Sequence, residues 1–181
     1  MDETIIEVTD LHKTYGKDVV AVDGISFKVT KGEIFGFLGP NGAGKSTTIK
    51  ILTTLLEKSS GKVTIDGLDV DEDQAKVRRI IGYSSQDVGV DDDLTARENL
   101  LLQCSFYHIP KEKAKEKVEE LLRTVRLAEA ADRRLRTFSG GMRKRLDLAS
   151  ALVSEPRILF LDEPTTGLDP QSRQDVWEYI V

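Results

Sequence analysis

Three stretches of the chain carry side chains and backbone suited to phosphate chemistry. The first is Gly39-Pro40-Asn41-Gly42-Ala43-Gly44-Lys45-Ser46, followed by Thr47. It matches Gly-x-x-x-x-Gly-Lys-[Ser/Thr] at every fixed position. Glycines here let backbone N–H groups converge on a phosphate chain with no Cβ in the way. Lys45 adds a point charge that can reach β- and γ-phosphates, and the Ser46 hydroxyl is placed to hold Mg²⁺. The second stretch, Arg157-Ile158-Leu159-Phe160-Leu161-Asp162-Glu163-Pro164, is an apolar strand ending in two acids. Asp162 at the carboxyl end can hold the same metal, and Glu163 can polarise a water in line with the γ-phosphate. The third, Ser139-Gly140-Gly141, opens a helix. A serine N-cap followed by bare backbone at a positive dipole end is an anion-binding device, though Ser-Gly-Gly alone is also an ordinary loop.

Elements must hold these stretches in place. Glu33 to Leu38 reads as a buried strand feeding the glycine-rich loop, and Thr47 to Leu52 has the spacing of a helix leaving it. Upstream, Ile5–Leu11, Val19–Val22 and Ile25–Val29 read as strands, with breaks at Asp23-Gly24 and a turn at Lys31-Gly32. Tyr15, before Gly16, could stack on a purine base or pack over the small β region; the residues alone favour neither. Ser59-Ser60-Gly61 reads as a turn, Lys62–Ile65 as a strand and Ile80–Ser84 as another. Gln86 follows that strand's carboxyl end. An open α/β sheet can turn a glutamine there toward a nucleotide or its metal, but on position alone it reads as a surface residue.

Between Asp87 and Thr137 the composition turns helical. Thr95 and Glu98 form a capping box ahead of a helix to Tyr107, which Pro110 ends. Lys111 to Val125 has Val118, Leu121, Leu122 and Val125 on one face. Arg133, Arg134, Arg136, Arg143, Lys144 and Arg145 cluster in sequence, as a phosphate- or RNA-binding face or as a solvated helix face balanced by acids.

The whole chain bounds these readings. With 181 residues it is one domain with subdivisions. Hydrophobic residues at 39% can form a real core, and a net charge of −5 argues against a generic nucleic-acid surface. One cysteine, Cys104, excludes an internal disulfide. The acidic Met1-Asp2-Glu3-Thr4 lacks an apolar signal stretch, and no apolar run approaches the ~20 residues a membrane span needs.

Taken in order, these motifs resemble the ATP-binding-cassette (ABC) ATPases. Residues 39–46 look like the Walker A motif, Tyr15 like the adenine-stacking aromatic, and Gln86 like the Q-loop glutamine. Ser139-Gly140-Gly141 looks like the signature, Asp162 like the Walker B aspartate, Glu163 like the catalytic glutamate and Asp169 like the D-loop aspartate. Glu-Pro-Thr-Thr-Gly-Leu-Asp-Pro with Phe-Ser-Gly-Gly-Met-Arg-Lys-Arg is most similar to drug-exporter cassettes, the daunorubicin-resistance type included.

The resemblance implies an α/β P-loop NTPase fold. It would combine an antiparallel β subdomain, a RecA-like core and a helical subdomain. The expected divisions are 1–86 for the β subdomain and first part of the core, 87–137 for the helical subdomain, and 138–181 for the signature helix and Walker B part. It implies ATP and Mg²⁺, with Ser46, Gln86 and Asp162 as metal-side ligands and Glu163, Lys45 and Gln86 in catalysis. Its partners would be a second cassette, head to tail, and an integral membrane permease. That places it on the cytoplasmic face of the cell membrane, with no nucleic acid expected. The other reading is a soluble ABC ATPase acting on nucleic acid or ribosomes, or a nucleotide-binding piece with little turnover.

Two features depart from the family pattern. Phe138 and Met142 replace the leucine and glutamine that usually flank the signature, so any glutamine amide contact is lost. No histidine follows Asp162, whereas the family carries a switch histidine beyond the D-loop helix. The expectation is a cassette lacking its C-terminal strands, with low turnover.

Overall fold

The computed structural model describes residues 3–85, 89–166, 168–171 and 173–174. The chain divides into two compact units, Met1–Arg79 and Ile80–Val181.

The first unit is built on a four-stranded antiparallel sheet in the order β2-β1-β3-β4. Its strands are β1 (Thr4–Tyr15), β2 (Val19–Thr30), β3 (Ser60–Ile65) and β4 (Leu68–Asp69). Alternation buries Ile6 and Val8 on β1 against Val63 and Ile65 on β3. The two-residue period then slips, because the register shifts between Val8 and Leu11 and Asp10 adopts a φ of 49°. The bulge puts Leu11 back into the core and turns the Asp10 N–H onto the Ser26 hydroxyl at 2.8 Å. β2 runs unbroken through Asp23-Gly24, and β3 begins at Ser60. The breaks read at those residues are therefore absent. Each is absorbed into a ladder with β1, where Ser60 pairs with His12 and Ile25 with Leu11.

Helix α1 (Lys45–Leu52) buries Thr48, Ile49, Ile51 and Leu52, and α2 (Gln74–Ile80) buries Val77. Arg78 secures the far end of α1 by donating to the Thr54 hydroxyl at 2.7 Å and the Thr54 carbonyl at 3.2 Å. Glu33 closes the Lys31-Gly32 turn. The Thr30 N–H and hydroxyl that bond to its carboxylate hold it below the usual carboxylate range.

Glu33 to Leu38 does not form the expected buried strand. Among the described residues nothing pairs with it, and Ile34 and Leu38 are 66% and 97% exposed. Phe35 and Phe37 both meet Phe27 of β2, at ring-centroid distances of 5.1 and 5.2 Å. Apolar, β-favouring residues fit a strand, but a strand also needs a hydrogen-bonding neighbour.

In the second unit, β5 (Ile81–Ser84) pairs in parallel with β6 (Ile158–Leu161). On β6 only Phe160 is fully buried. Helices α3 (Ala96–Phe106), α4 (Lys111–Thr124) and α5 (Gly140–Leu152) share one apolar core. Leu100, Leu122, Leu135 and Leu146 are each fully enclosed there. Burial of such a side chain is worth about 1.5–3 kcal/mol. The capping box forms as read: Thr95 Oγ1 accepts the Glu98 N–H at 3.1 Å, and the Glu98 carboxylate accepts the Thr95 N–H at 2.8 Å. The first of these helices ends at Phe106, ahead of Pro110, with His108 left-handed at φ 55°; Pro110 is instead the N-cap of α4. Cys104 lies in this core, and burial pushes its thiol up.

Candidate functional site

The glycine-rich loop of the first unit ends on Gly44, the N-cap of α1, with φ 84°. A Cβ added there would stand 2.3 Å from the Ala21 carbonyl oxygen. Only glycine fits this left-handed turn against β2. The turn drives the chain straight into the helix, where the Gly44 carbonyl accepts both the Thr48 N–H (2.8 Å) and the Thr48 hydroxyl (2.9 Å). The first-turn residues Lys45, Ser46 and Thr47 are half-buried, and Gly39 to Gly42 are exposed. Lys45 turns back over the loop, its Nζ donating to the carbonyls of Gly39 (2.8 Å) and Pro40 (2.9 Å). An ammonium held among oxygens at the mouth of such a loop is where phosphate oxygens would be met. Tyr15, at the end of β1, is 42% exposed, with Lys13 Nζ 5.3 Å from its ring centroid.

In the second unit, Asp162 follows β6, is 4% exposed and continues the ladder by donating its N–H to the Ser84 carbonyl at 2.9 Å. Glu163 is half-buried with φ 51°, a left-handed conformation rare for a side chain of its kind and concentrated at functional sites. The Thr166 hydroxyl donates to Glu163 Oε2 at 3.0 Å. Ser139 is the N-cap of α5, its Oγ accepting the Met142 N–H at 3.3 Å, with Gly140 exposed and Gly141 buried behind it. Phe138 is 7% exposed, inside the helical core. Gln86 lies outside the described residues.

Asp147 of this unit was not singled out from sequence, and Lys144 was read only as a member of the basic cluster. Asp147 of α5 accepts the Ser84 hydroxyl at 2.5 Å and the Gly89 N–H at 3.3 Å, and Lys144 donates to the Ser85 carbonyl at 2.6 Å. The available signal was a charge pair three residues apart, Lys144 and Asp147, with Leu146 between them on a helix otherwise set for packing. The basic cluster is spread among local partners. Arg143 pairs with Asp92, Lys144 is buried, and Arg133 lies 5.7 Å from the Phe138 ring.

A sequence model of the ABC transporter family matches residues 22–166. The chain belongs to that family. It is 47% identical over 180 residues to the doxorubicin resistance ATP-binding protein DrrA of Mycobacterium tuberculosis, covering 99% of this chain and 54% of that protein. It is 43% identical to the daunorubicin resistance ATP-binding protein DrrA3 of Streptomyces coeruleorubidus, covering 99% and 57%. The Nod factor export ATP-binding protein I of a Rhizobium species is 42% identical, over 99% and 59%. This ABC chain thus spans a little over half the length of these curated relatives. Among solved structures, cbiO1 of Clostridium perfringens, part of the ABC transporter complex cbiONQ, is similar with a TM-score of 0.89. It is 29% identical, over 99% of this chain and 73% of that one. The cassette MJ0796, solved as a post-hydrolysis dimer with ADP and Pi, gives 0.87 at 28% identity, over 97% and 81%. The fold is the α/β cassette of this family, with an antiparallel sheet and a helical core. Among the described residues no helix is long and apolar enough to cross a membrane.

Proposed function

We propose that this chain is the ATP-binding and ATP-hydrolysing part of an exporter for antibiotic-like small molecules. It would pair head to tail with a second copy and act through a separate integral membrane permease on the inner face of the cell membrane. The observation that carries the reading is the loop geometry: a left-handed Gly44 that no other residue can replace, beside the inward-turned Lys45.

Each residue then has a physical task. Backbone N–H groups of Lys45, Ser46 and Thr47 at the start of α1 face phosphate oxygens, aided by the helix dipole. The Lys45 ammonium supplies charge to the β- and γ-phosphates. Tyr15 offers an exposed ring face to adenine. The Ser46 hydroxyl of the first unit and the buried Asp162 carboxylate of the second are each hard oxygen donors of the kind Mg²⁺ takes, and Gln86 is assigned a metal-side role by its place in the motif order. Bound there, Mg²⁺ would neutralise charge on the phosphate oxygens. Glu163, its carboxylate turned by Thr166, orients the attacking water. Ser139, Gly140 and Gly141 of one copy would meet the γ-phosphate held by the other. Likeness to relatives named for doxorubicin and daunorubicin resistance supports the cargo class.

The test is E163Q in the purified full-length protein. ATP hydrolysis is expected to fall on the order of a hundredfold or more while ATP binding persists. Light scattering with ATP should then show a dimer. Undiminished hydrolysis would contradict the role given to Glu163.

A further inference from the structure

Tyr15 closes β1, and Lys13, two residues before it, is half-buried with its Nζ 5.3 Å from the centroid of the tyrosine ring. The same Nζ donates to the Glu57 carbonyl at 2.7 Å. Thr14, between them, donates its N–H to the Ser59 hydroxyl at 3.0 Å, and the Ser59 N–H donates to the His12 carbonyl at 2.9 Å. His12, Lys13 and Thr14 are thus fastened to one short segment, Glu57 to Ser59. That segment follows α1, whose C-cap is Thr53 and whose first turn leaves the phosphate loop. On its other side β1 pairs with β2, Thr14 opposite Val20 and Lys13 opposite Val22. Ala21, between those two, is the residue whose carbonyl leaves no room for a Cβ on Gly44. Both ends of α1 are therefore joined to the end of β1 that carries Tyr15.

The tyrosine ring itself is 42% exposed. A backbone held this firmly does not by itself fix a side chain that can still turn between rotamers. The ammonium supplies that constraint. It is drawn to the negative face of the ring, and the Glu57 carbonyl fixes where the ammonium stands. An apolar side chain at position 13 could cover the ring but would have no donor for the carbonyl. We infer that Lys13 is a positioning residue for Tyr15: held by Glu57, it sets the ring in one place beside the helix that begins in the phosphate loop. The inference rests on the reading of Tyr15 as the ring that takes adenine. It extends that reading by assigning base affinity to the tyrosine and its tethered lysine together.

A double-mutant cycle on the full-length protein decides it, with wild type, Y15A, K13M and K13M/Y15A. Calorimetry gives the dissociation constant for Mg²⁺-ATP, and steady-state hydrolysis gives kcat. K13M keeps a long unbranched side chain and removes the charge and the donor. Y15A is expected to weaken ATP binding about fivefold or more, the loss of one stacked base. K13M should weaken it about threefold to fivefold. Its kcat should stay within about threefold of wild type, because a base contact made equally in ground and transition states alters binding and not the chemical step. K13M/Y15A should bind as Y15A does, within about 1.5-fold, since support for an absent ring has nothing left to act on. Losses that multiply in the combination overturn the inference, because a purely structural role adds independently of Tyr15. Wild-type affinity in K13M overturns it, and so does a kcat lowered beyond that threefold, which would mean a disturbance reaching past the base. Unchanged affinity in Y15A, or no ATP binding by the wild type, overturns instead the reading on which it stands. If K13M does not fold, K13Q, which keeps a donor and loses the charge, goes through the same cycle with the same decisive outcomes.

Discussion

The Thr166 hydroxyl donates to Glu163 Oε2 across 3.0 Å, and the Thr166 N–H donates to the Glu163 carbonyl at 3.1 Å. Together the two bonds close a turn around a glutamate whose backbone is left-handed. The carboxylate of a residue at a strand exit would ordinarily be free to rotate; this one is aimed. Removing the hydroxyl while keeping the shape, as in Thr166→Val, deletes a hydrogen bond worth about 1 kcal/mol net. The expected outcome is a fall in kcat of about twofold to fivefold with ATP affinity unchanged, read by steady-state kinetics beside calorimetric titration.

Two glycines of the phosphate loop separate conformational cost from collision. Gly42 and Gly44 have nearly the same φ, 85° and 84°, but a Cβ on Gly42 meets nothing within 4 Å. A Cβ on Gly44 runs into the Ala21 carbonyl. Gly42→Ala should cost about 1–2 kcal/mol, the ordinary charge for a left-handed alanine. Gly44→Ala should cost more than that and weaken ATP binding at least about tenfold, because the start of α1 must shift. Thermal melts and ATP titrations on the two variants check the order.

Much of this was legible from residue type and spacing. The glycine-rich loop, the Thr95/Glu98 box and the buried face of α4 are local patterns, and local patterns survive without knowledge of tertiary neighbours. What could not be read depends on partners distant in sequence. Glu33 to Leu38 has the composition of a buried strand, but composition does not say what pairs with it. Ser84 and Asp147 are 63 positions apart. One reads as a serine at a strand end and the other as a charged residue on a helix, and only the packing of α5 against β5 makes them a buried pair. Thr166 reads as a turn residue until the turn is seen to carry Glu163.

The helical core should show a specific acid response. Arg97, in the first turn of α3, donates through Nε to Asp132 at 2.7 Å and also pairs with Glu119 of α4. The bond from Arg97 holds the Asp132 carboxyl below its ordinary value of 3.8. A carboxyl with a lowered folded pKa contributes stability that is present above the ordinary value and lost as the pH falls through the folded one. Arg97→Met removes that contribution. The variant should melt below the wild type at pH 7, and the gap should close as the pH is taken from 7 to about 2. A gap independent of pH would mean that Arg97 stabilises the core through packing alone.

The central claim is that the loop at Gly39 to Ser46 binds the phosphates of ATP through Lys45. Isothermal titration of Mg²⁺-ATP into wild type and Lys45→Ala at equal ionic strength tests it most directly. The loss of a charge placed to meet two phosphates is expected to weaken binding about tenfold or more. Equal affinity in the two proteins would contradict the account.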